Sequence, residues 1–483
     1  MSIDIIRTGA ELELAARVVE LVRQVAGPGA EAEVMVRHDA EALTRFANSM
    51  IHQNVADAAT NVRLRLHLDG RTAAGATTLV DTDGLRGLVE RTVAAARLSP
   101  PDATWPGLTS PTPLHRSSGH HGSGERSGLD FGFDEATARA DPAERAGRVR
   151  DFVRAAGGLE TAGYCRTTYS SAAFANSAGQ SVEGRTAEAA MDGIARAGGA
   201  DGVARLASGR LGDLDGAVLG ARAAAKARAG LDPVELPPGH YEVVLEPEAV
   251  ADLLDNFSMF GFNGKAYAQK QSFAELEAEQ FDPSVTLIDE PLGSRAEHAP
   301  GLPFDDEGTP RESLVLVRDG VTKAVAHDRS SAAEAGTTST GHASPASRTW
   351  GPYPSHVRME AAPAATEPAD PASPVAESAQ PLIARMRRGL LITDLWYTRV
   401  LDPKTLVITG LTRNGVWLVE DGEVTGAVSN MRFTQSYPQA LANGQVLGIG
   451  SESILLPDRW SGTRYAAPAL HLASWNLTGN ASG

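Results

Sequence analysis

Apolar positions recur at steps of three and four over residues 10–26. Leu12, Ala15, Val18, Val19, Val22 and Val25 therefore share one side of a helix, which Gly27-Pro28 would end. The period then shortens to two. Val62, Leu64, Leu66 and Leu68 alternate with polar residues, Asp69-Gly70 supplies a tight turn, and "RTAAGATTLV" returns as the second arm of a β-hairpin. Helical spacing resumes over 82–98 through Leu85, Leu88, Val89 and Val93. Residues 99–128 are rich in Pro, Gly and Ser with no apolar period, which predicts a largely mobile loop. Asp141, Pro142 and Glu144 form a helix start signal, and Gly157-Gly158 a stop. A further hairpin is expected around Asn176–Gly179, then a helix in "DLDGAVLGARAAAKARAG" closing at Gly230.

The proline-containing linker "DPVELPPG" marks a domain boundary near residue 235, beyond which the texture changes. Val285–Ile288, Leu314–Val317, Val321–Ala326, Leu390–Thr393, Leu406–Ile408, Val416–Val419 and Val424–Val428 are short strand-like runs, with hairpin turns at Asp319-Gly320 and Asp421-Gly422. Residues 361–379 are Ala/Pro-rich and predict a low-complexity surface loop. The pattern predicts an α+β fold in two domains. Residues 1–235 would hold helices and antiparallel hairpins, and 236–483 a mostly antiparallel, barrel-like β domain.

Composition narrows the function classes. Lys+Arg 44 against Asp+Glu 60 leaves a formal charge of −16 with no basic run, which argues against nucleic acid as a direct ligand. Cys165 is the only cysteine, so neither an intramolecular disulfide nor a CxxC knuckle is available, and a reducing cytoplasm fits best. The N-terminus lacks the pattern of a signal peptide, and no 18 apolar residues run together.

The stretch "EPEAVADLLDNF", Glu246 to Phe257, follows the apolar run "HYEVVL" directly. Pro247 suits a first helical turn, and Val250, Leu253, Leu254 and Phe257 form one apolar face. Glu248, Asp252 and Asp255 fall on another side. Three carboxylates there can hold a hard cation, but the expected reading is the solvated side of an amphipathic helix.

Seven ordered segments carry a resemblance. "ALTRFANSMIHQNV", "YSSAAFANSAGQ", "LEPEAVADLLDNF", "GKAYAQKQSF", "HDRSSAAEAGTTSTGHA", "RRGLLITDLWYTRV" and "NGVWLVEDGEV" resemble, in this order, the landmarks of the TldD/TldE (TldD/PmbA) family. The resemblance implies a two-subunit metalloprotease. Its TldD-like subunit holds zinc on an HExxxH helix plus a downstream cysteine, and its TldE/PmbA-like subunit lacks these ligands. Laid on this chain, the motif places its first His at Pro247, its Glu at Glu248 and its second His at Asp252, and no cysteine follows Cys165. The chain thus resembles the TldE/PmbA-like subunit, with no catalytic residue and no metal or other cofactor of its own. Zinc is expected in a TldD-like partner and a peptide as substrate. A regular helix turns about 100° per residue, so HExxxH needs distortion to converge on one metal, whereas "PEAVAD" is expected to be regular.

In the frame of that resemblance, the polar stretch holding His327, Asp328, Arg329, Ser339, Thr340, Gly341 and His342 is a candidate peptide lining, with a plain solvent loop as the alternative. A hydrolase triad from Ser339, His342 and Asp328 lacks a G-x-S-x-G elbow. His120-His121 lies in a Gly/Ser-rich loop, and "GFNGKAYAQKQSF" lacks the spacing of a phosphate loop. Trp396 and Tyr397 belong either to a core strand or to an edge that docks a partner. A stand-alone peptide-binding homodimer without proteolytic activity is the alternative for the whole chain.

Overall fold

Long antiparallel strands build the N-terminal half of the molecule, a computed structural model that describes residues 9–114, 133–293, 299–363, 373–458 and 463–481. Strands β1 (Glu31–Ala47), β2 (Met50–Leu68), β3 (Arg71–Thr77), β4 (Glu160–Asn176), β5 (Ser181–Ala197) and β6 (Ala200–Ser208) form one sheet in the order β3-β2-β1-β4-β5-β6. Helices α1 (Ala10–Ala26) and α2 (Thr82–Leu98) cover one end of it, around Val34, Val36, Leu64 and Leu66. After the short α3 (Glu135–Ala138), α4 (Pro142–Ala155) and α5 (Gly216–Ala229) cover the other end, around Cys165, Met191 and Ala204. Asp141 and Glu144 form the expected capping box on α4. Gly220 lets α4 and α5 approach closely, because a Cβ there would stand 2.2 Å from the Phe152 carbonyl oxygen.

Strand alternation sends Met35 to the opposite face from Val34 and Val36. There it packs with Phe174 against Leu302 and Phe304 of the C-terminal half. Asp69-Gly70, Asp319-Gly320 and Asp421-Gly422 all have positive φ at both residues, as a two-residue type I′ hairpin turn requires.

The C-terminal half comprises β7 (Gly239–Leu245), α6 (Pro247–Asn256), α7 (Gly264–Ala268), β8 (Leu287–Asp289), β9 (Leu314–Arg318), β10 (Val321–Thr322), α8 (Arg329–Ala335) and β11 (His356–Met359). It continues with β12 (Arg388–Asp402), β13 (Val407–Glu420), β14 (Glu423–Ala427), β15 (Met431–Ser436), β16 (Val446–Ile449), β17 (Ile454–Leu456), β18 (Arg464–Ala467) and β19 (Leu470–Asn480). The path β12-β7-β19-β15-β13 closes into a five-stranded barrel because β12 also pairs with β13. A second sheet runs β10-β9-β8-β11-β18-β17. Between them lies α6, whose Val250, Leu253 and Leu254, with Phe257 just past its end, join one core with Val243, Leu390 and Trp475 of the barrel and Leu287, Leu316 and Val357 of the second sheet. The fold is thus α+β with a barrel in the C-terminal half, as the hydrophobic pattern predicts.

Two loop expectations need correction. Residues 99–114 are held in place: the Trp105 indole stacks on His67 at 4.9 Å and donates to Glu31, and Thr109 donates to the Glu307 carbonyl. Residues 115–128 of that stretch, including His120-His121, lie outside the described residues. The end of the Ala/Pro-rich segment is not surface loop either. Val375, Ala376 and Ala379 are buried in a cluster with Trp417, because the segment closes over the barrel end. Residues 364–372 lie outside the described residues.

Candidate functional site

The helix that carries the family landmark is enclosed on every side. Glu248 and Asp252 are buried, and Asp255 is half-buried, so the expected solvated face is a packed one. The reason is tertiary: α5 and β6 of the N-terminal half supply cations that receive these acids. The Lys226 ammonium from α5, itself fully buried, lies 2.6 Å from a Glu246 carboxylate oxygen and 4.0 Å from one of Glu248. The other Glu246 oxygen accepts from the Ala376 backbone N–H. Burial pushes the Glu248 carboxyl up, against the pull of Lys226 and Arg205. Arg205 from β6 also pairs with Asp192 at 2.9 Å and with fully buried Asp394 at 2.8 Å.

Asp252 is enclosed by hydroxyl and amide donors. Thr398 donates to one oxygen at 2.9 Å, and Tyr437 and Asn256 donate to the other at 2.9 and 3.2 Å. Residues 247–256 are regular α-helix, and the distortion comes afterwards, in a π turn at Phe257–Gly261 closed by Phe262 N–H to the Phe257 carbonyl. Zinc does not fit this arrangement. Pro247 has no donor atom, the acids are committed to internal partners, and Cys165 lies in the N-terminal core with its thiol pushed up to about 12 by burial. Among the described residues, no three His, Cys, Asp or Glu side chains gather as a metal site.

A second site opens where the halves meet above β1–β3. A cleft of about 630 Å³ is lined by Arg63, Arg65 and Thr72 of the sheet, Asp102–Pro106, Asp306, Glu307, and Asp328, Ser330 and Ser331 at the start of α8. Its floor is a charge lattice. Arg65 bridges Glu33 and Glu307, the latter at 2.8 Å, and Arg329 bridges the same two acids from the other side, 3.1 Å from Glu307. Arg329 also donates to the Gly107 carbonyl, and the Arg65 guanidinium lies 5.0 Å over the Trp105 ring. Burial raises the Glu33 carboxyl, whereas at Glu307 Arg329 and Arg65 outweigh burial and hold it below the usual range. Beside this internally paired floor, the rest of the lining offers a ligand Ser and Thr hydroxyls, the Trp105 and Phe174 rings, and further charged side chains such as Asp102, Asp328 and Glu334.

Of the seven candidate peptide-lining residues, Asp328 lines this cleft and also caps α8 by accepting from the Ser331 N–H. Arg329 ties the floor together. His327, Ser339, Thr340 and His342 turn towards one another: Ser339 donates to the His327 carbonyl, and Thr340 contacts both the His327 N–H and the His342 ring. Gly341 is buried with φ +75 against the Pro310 carbonyl. The other His342 nitrogen meets Asp289 at 2.9 Å, and both side chains are fully buried. Asp289 is held low by His342 and Arg311 against the penalty of burial. The imagined grouping of Ser339, His342 and Asp328 does not form, since His342 faces Thr340 and Asp289. Glu33, Arg65, Trp105 and Glu307 escaped sequence reasoning, being scattered over some 270 positions with no local spacing. Arg63 and Arg65, interleaved with the apolar residues of β2, are the one signal that a polar face lies there.

The geometry defines a protein whose landmark helix is sealed by ion pairs while a separate cleft lies between its halves. The profile of the PmbA/TldA metallopeptidase C-terminal domain matches residues 238–479, and the chain belongs to the TldD/TldE/PmbA family. No curated protein matches the chain by sequence. Among solved structures it is similar to TldE from Thermococcus kodakarensis, with a TM-score of 0.79 and 18% identity over 96% of this chain and 100% of that one. It is also similar to a DNA gyrase modulator candidate from Thermotoga maritima, with a TM-score of 0.77 and 17% identity over 96% and 99% of the two chains. A counterpart from Bacteroides thetaiotaomicron gives 0.76 and 19% over 97% and 98%. At these identities the structural likeness concerns the fold. Among the described residues, no helix is long and apolar enough to cross a membrane.

Proposed function

We propose that this chain is the non-metal-binding, TldE/PmbA-like subunit of a heteromeric zinc metallopeptidase, working in the cytoplasm beside a TldD-like partner that carries the zinc. The observation that carries the reading is the commitment of the landmark positions: Pro247 offers no ligand, Glu248 faces Lys226, and Asp252 is enclosed by Thr398, Tyr437 and Asn256. The partner's metal would lower the pKa of a bound water and polarise the scissile carbonyl. This chain would wall the chamber and hold a short or unfolded peptide, including precursors of peptide natural products.

The cleft between the halves suits that role. Trp105 and the Ser and Thr hydroxyls around it can meet an extended backbone without demanding a particular side chain.

Elemental mass spectrometry of the purified, untagged chain, followed by coexpression with a homologue bearing HExxxH, tests the proposal. The expected result is near-zero zinc alone and peptide turnover only with both subunits. About one tightly held zinc per chain, or full turnover by the partner alone, overturns it.

A further inference from the structure

The aromatic stretch at Trp396-Tyr397 divides in two. Leu390–Leu395 are buried in the barrel, and β12 then bulges between Trp396 and Arg399 against β13. Past the bulge, Thr398 turns inward to Asp252 and Val400 packs on the core, while Tyr397, Arg399 and Leu401 face out. Tyr397 pays for its position: φ is +55, left-handed for a bulky aromatic residue, and its side chain stays 65% exposed. Strain of this kind, with no burial in return, points to a surface presented to something else.

Strand pairing extends the surface. Trp396 lies opposite Leu411, which lies opposite Arg432 on β15, and Arg399 lies opposite Thr409. Directly paired residues share a face, as do residues two apart on one strand, so Arg413 belongs to the same face. Two cation–π stacks confirm the grouping: Arg399 lies 4.3 Å over the Tyr397 ring, and Arg413 4.8 Å over Trp396. Trp396, Leu411 and Arg413 also line a hollow of about 400 Å³ reaching Gly199–Asp201 of the N-terminal half. Among the described residues, Arg399, Arg413 and Arg432 form no ion pair with a carboxylate, although the chain as a whole carries −16. Elsewhere in the fold, Arg65, Arg166, Arg205, Arg329 and Arg358 each have one.

We propose that the outer face of β12, β13 and β15, centred on Tyr397, Arg399 and Arg413, docks a polypeptide segment in which carboxylates alternate with apolar side chains. The guanidiniums, already oriented by the rings beneath them, would receive the carboxylates, and Leu401, Leu411 and the Trp396 ring the apolar residues. Charge decides between polypeptide and nucleic acid. A polyanion meets long-range repulsion from a chain at −16, and the face holds three arginines and no lysine, too short a track for a phosphate backbone. A short acidic segment needs only the local field. The face shares no residue with the cleft, so the proposal goes beyond the peptide-holding role and stands or falls separately from it.

Fluorescence anisotropy of the full chain with three labelled probes tests it: a peptide of alternating glutamate and leucine, its lysine–leucine counterpart, and an oligothymidylate. The glutamate peptide is expected to bind and to weaken as salt rises, and the lysine peptide to be ignored. Arg399→Glu/Arg413→Glu should weaken binding by at least about tenfold, whereas Arg399→Lys/Arg413→Lys should lose only part of that. These side chains are exposed, and an unchanged far-ultraviolet dichroism spectrum with a cooperative thermal transition would show that the variants fold. Equal binding of the peptide to wild type and the Glu variant overturns the proposal, as does no binding at all. Oligothymidylate that binds through the same arginines in preference to the peptide also overturns it, and makes the face a nucleic-acid surface.

Discussion

Two clusters of buried charge join the halves of this chain, and they differ in what lies beside them. Around α6, Lys226 meets Glu246 and Glu248 and Arg205 meets Asp394, all enclosed by protein. Beneath α8, Arg65 and Arg329 meet Glu33 and Glu307, and the cleft begins on their outer side. The chemistry is the same, but the first cluster has no room for a ligand and the second has a roof of solvent. Standing at a family's motif and standing in a cavity are therefore separate properties. Here the helix Pro247–Asn256 is a joint between halves, and the accessible polar surface is built from residues far apart in sequence.

Lys226→Ala should break this comparison most severely. It strands two buried carboxylates, and removing one partner of a buried pair costs about 3–5 kcal/mol. Urea unfolding should show that loss, with hydrogen exchange around residues 102–109 unchanged in the folded protein. Arg329→Ala should be milder overall, about 1.5–3 kcal/mol for its charged hydrogen bonds, because Arg65 still pairs with both buried acids, Glu33 and Glu307. Its effect should be local: exchange should quicken over 102–109, because Arg329 holds the Gly107 carbonyl, and peptide affinity should drop. Identical exchange maps for the two variants would dissolve the distinction between a sealed joint and a cleft floor.

The subtlest test is a pH dependence. Asp305, behind the cleft wall, accepts N–H bonds from Glu307, Thr309 and Ala343, yet burial and the neighbouring Glu307 raise it to about 7. An unfolded Asp titrates near ~3.9, so between these values the native chain holds a proton that the unfolded chain has released. The group's favourable contribution is therefore complete at low pH and is lost as pH rises through about 7. Asp289, held low, acts in the opposite sense and only in acid, where its stabilisation is lost as pH falls. Thermal unfolding between roughly pH 5 and 8 should show wild type declining more steeply than Asp305→Asn. Parallel slopes would mean that Asp305 is ionised throughout.

Local signals were read well where local physics decides. The capping box at Asp141, the helices over 10–26 and 82–98, and the three Asp-Gly turns all stand where the pattern predicts. The same pattern showed β2 only from Val62 onward, although the strand begins at Met50. Residues 50–61 are exposed or half-buried on both faces and pair with β3 only from Val62, so no alternation marks them. Trp396 and Tyr397 left core strand and docking edge both open, and the structure divides them at a bulge that neighbouring strands impose.

By itself, the sequence determined several helices and hairpins, the Asp-Gly turns, the α+β class with a barrel-like half, and the family, because helix period, strand alternation and motif order are properties of short windows. Only the tertiary structure decided the environment of each charge. It buried Glu248 and Asp252 that an isolated amphipathic helix would hold in water, and it assembled Glu33, Arg65, Trp105, Glu307 and Arg329 into one cleft floor. Electrostatic partnership depends on distance in space and on the exclusion of water, and neither is written in the spacing of residues along the chain.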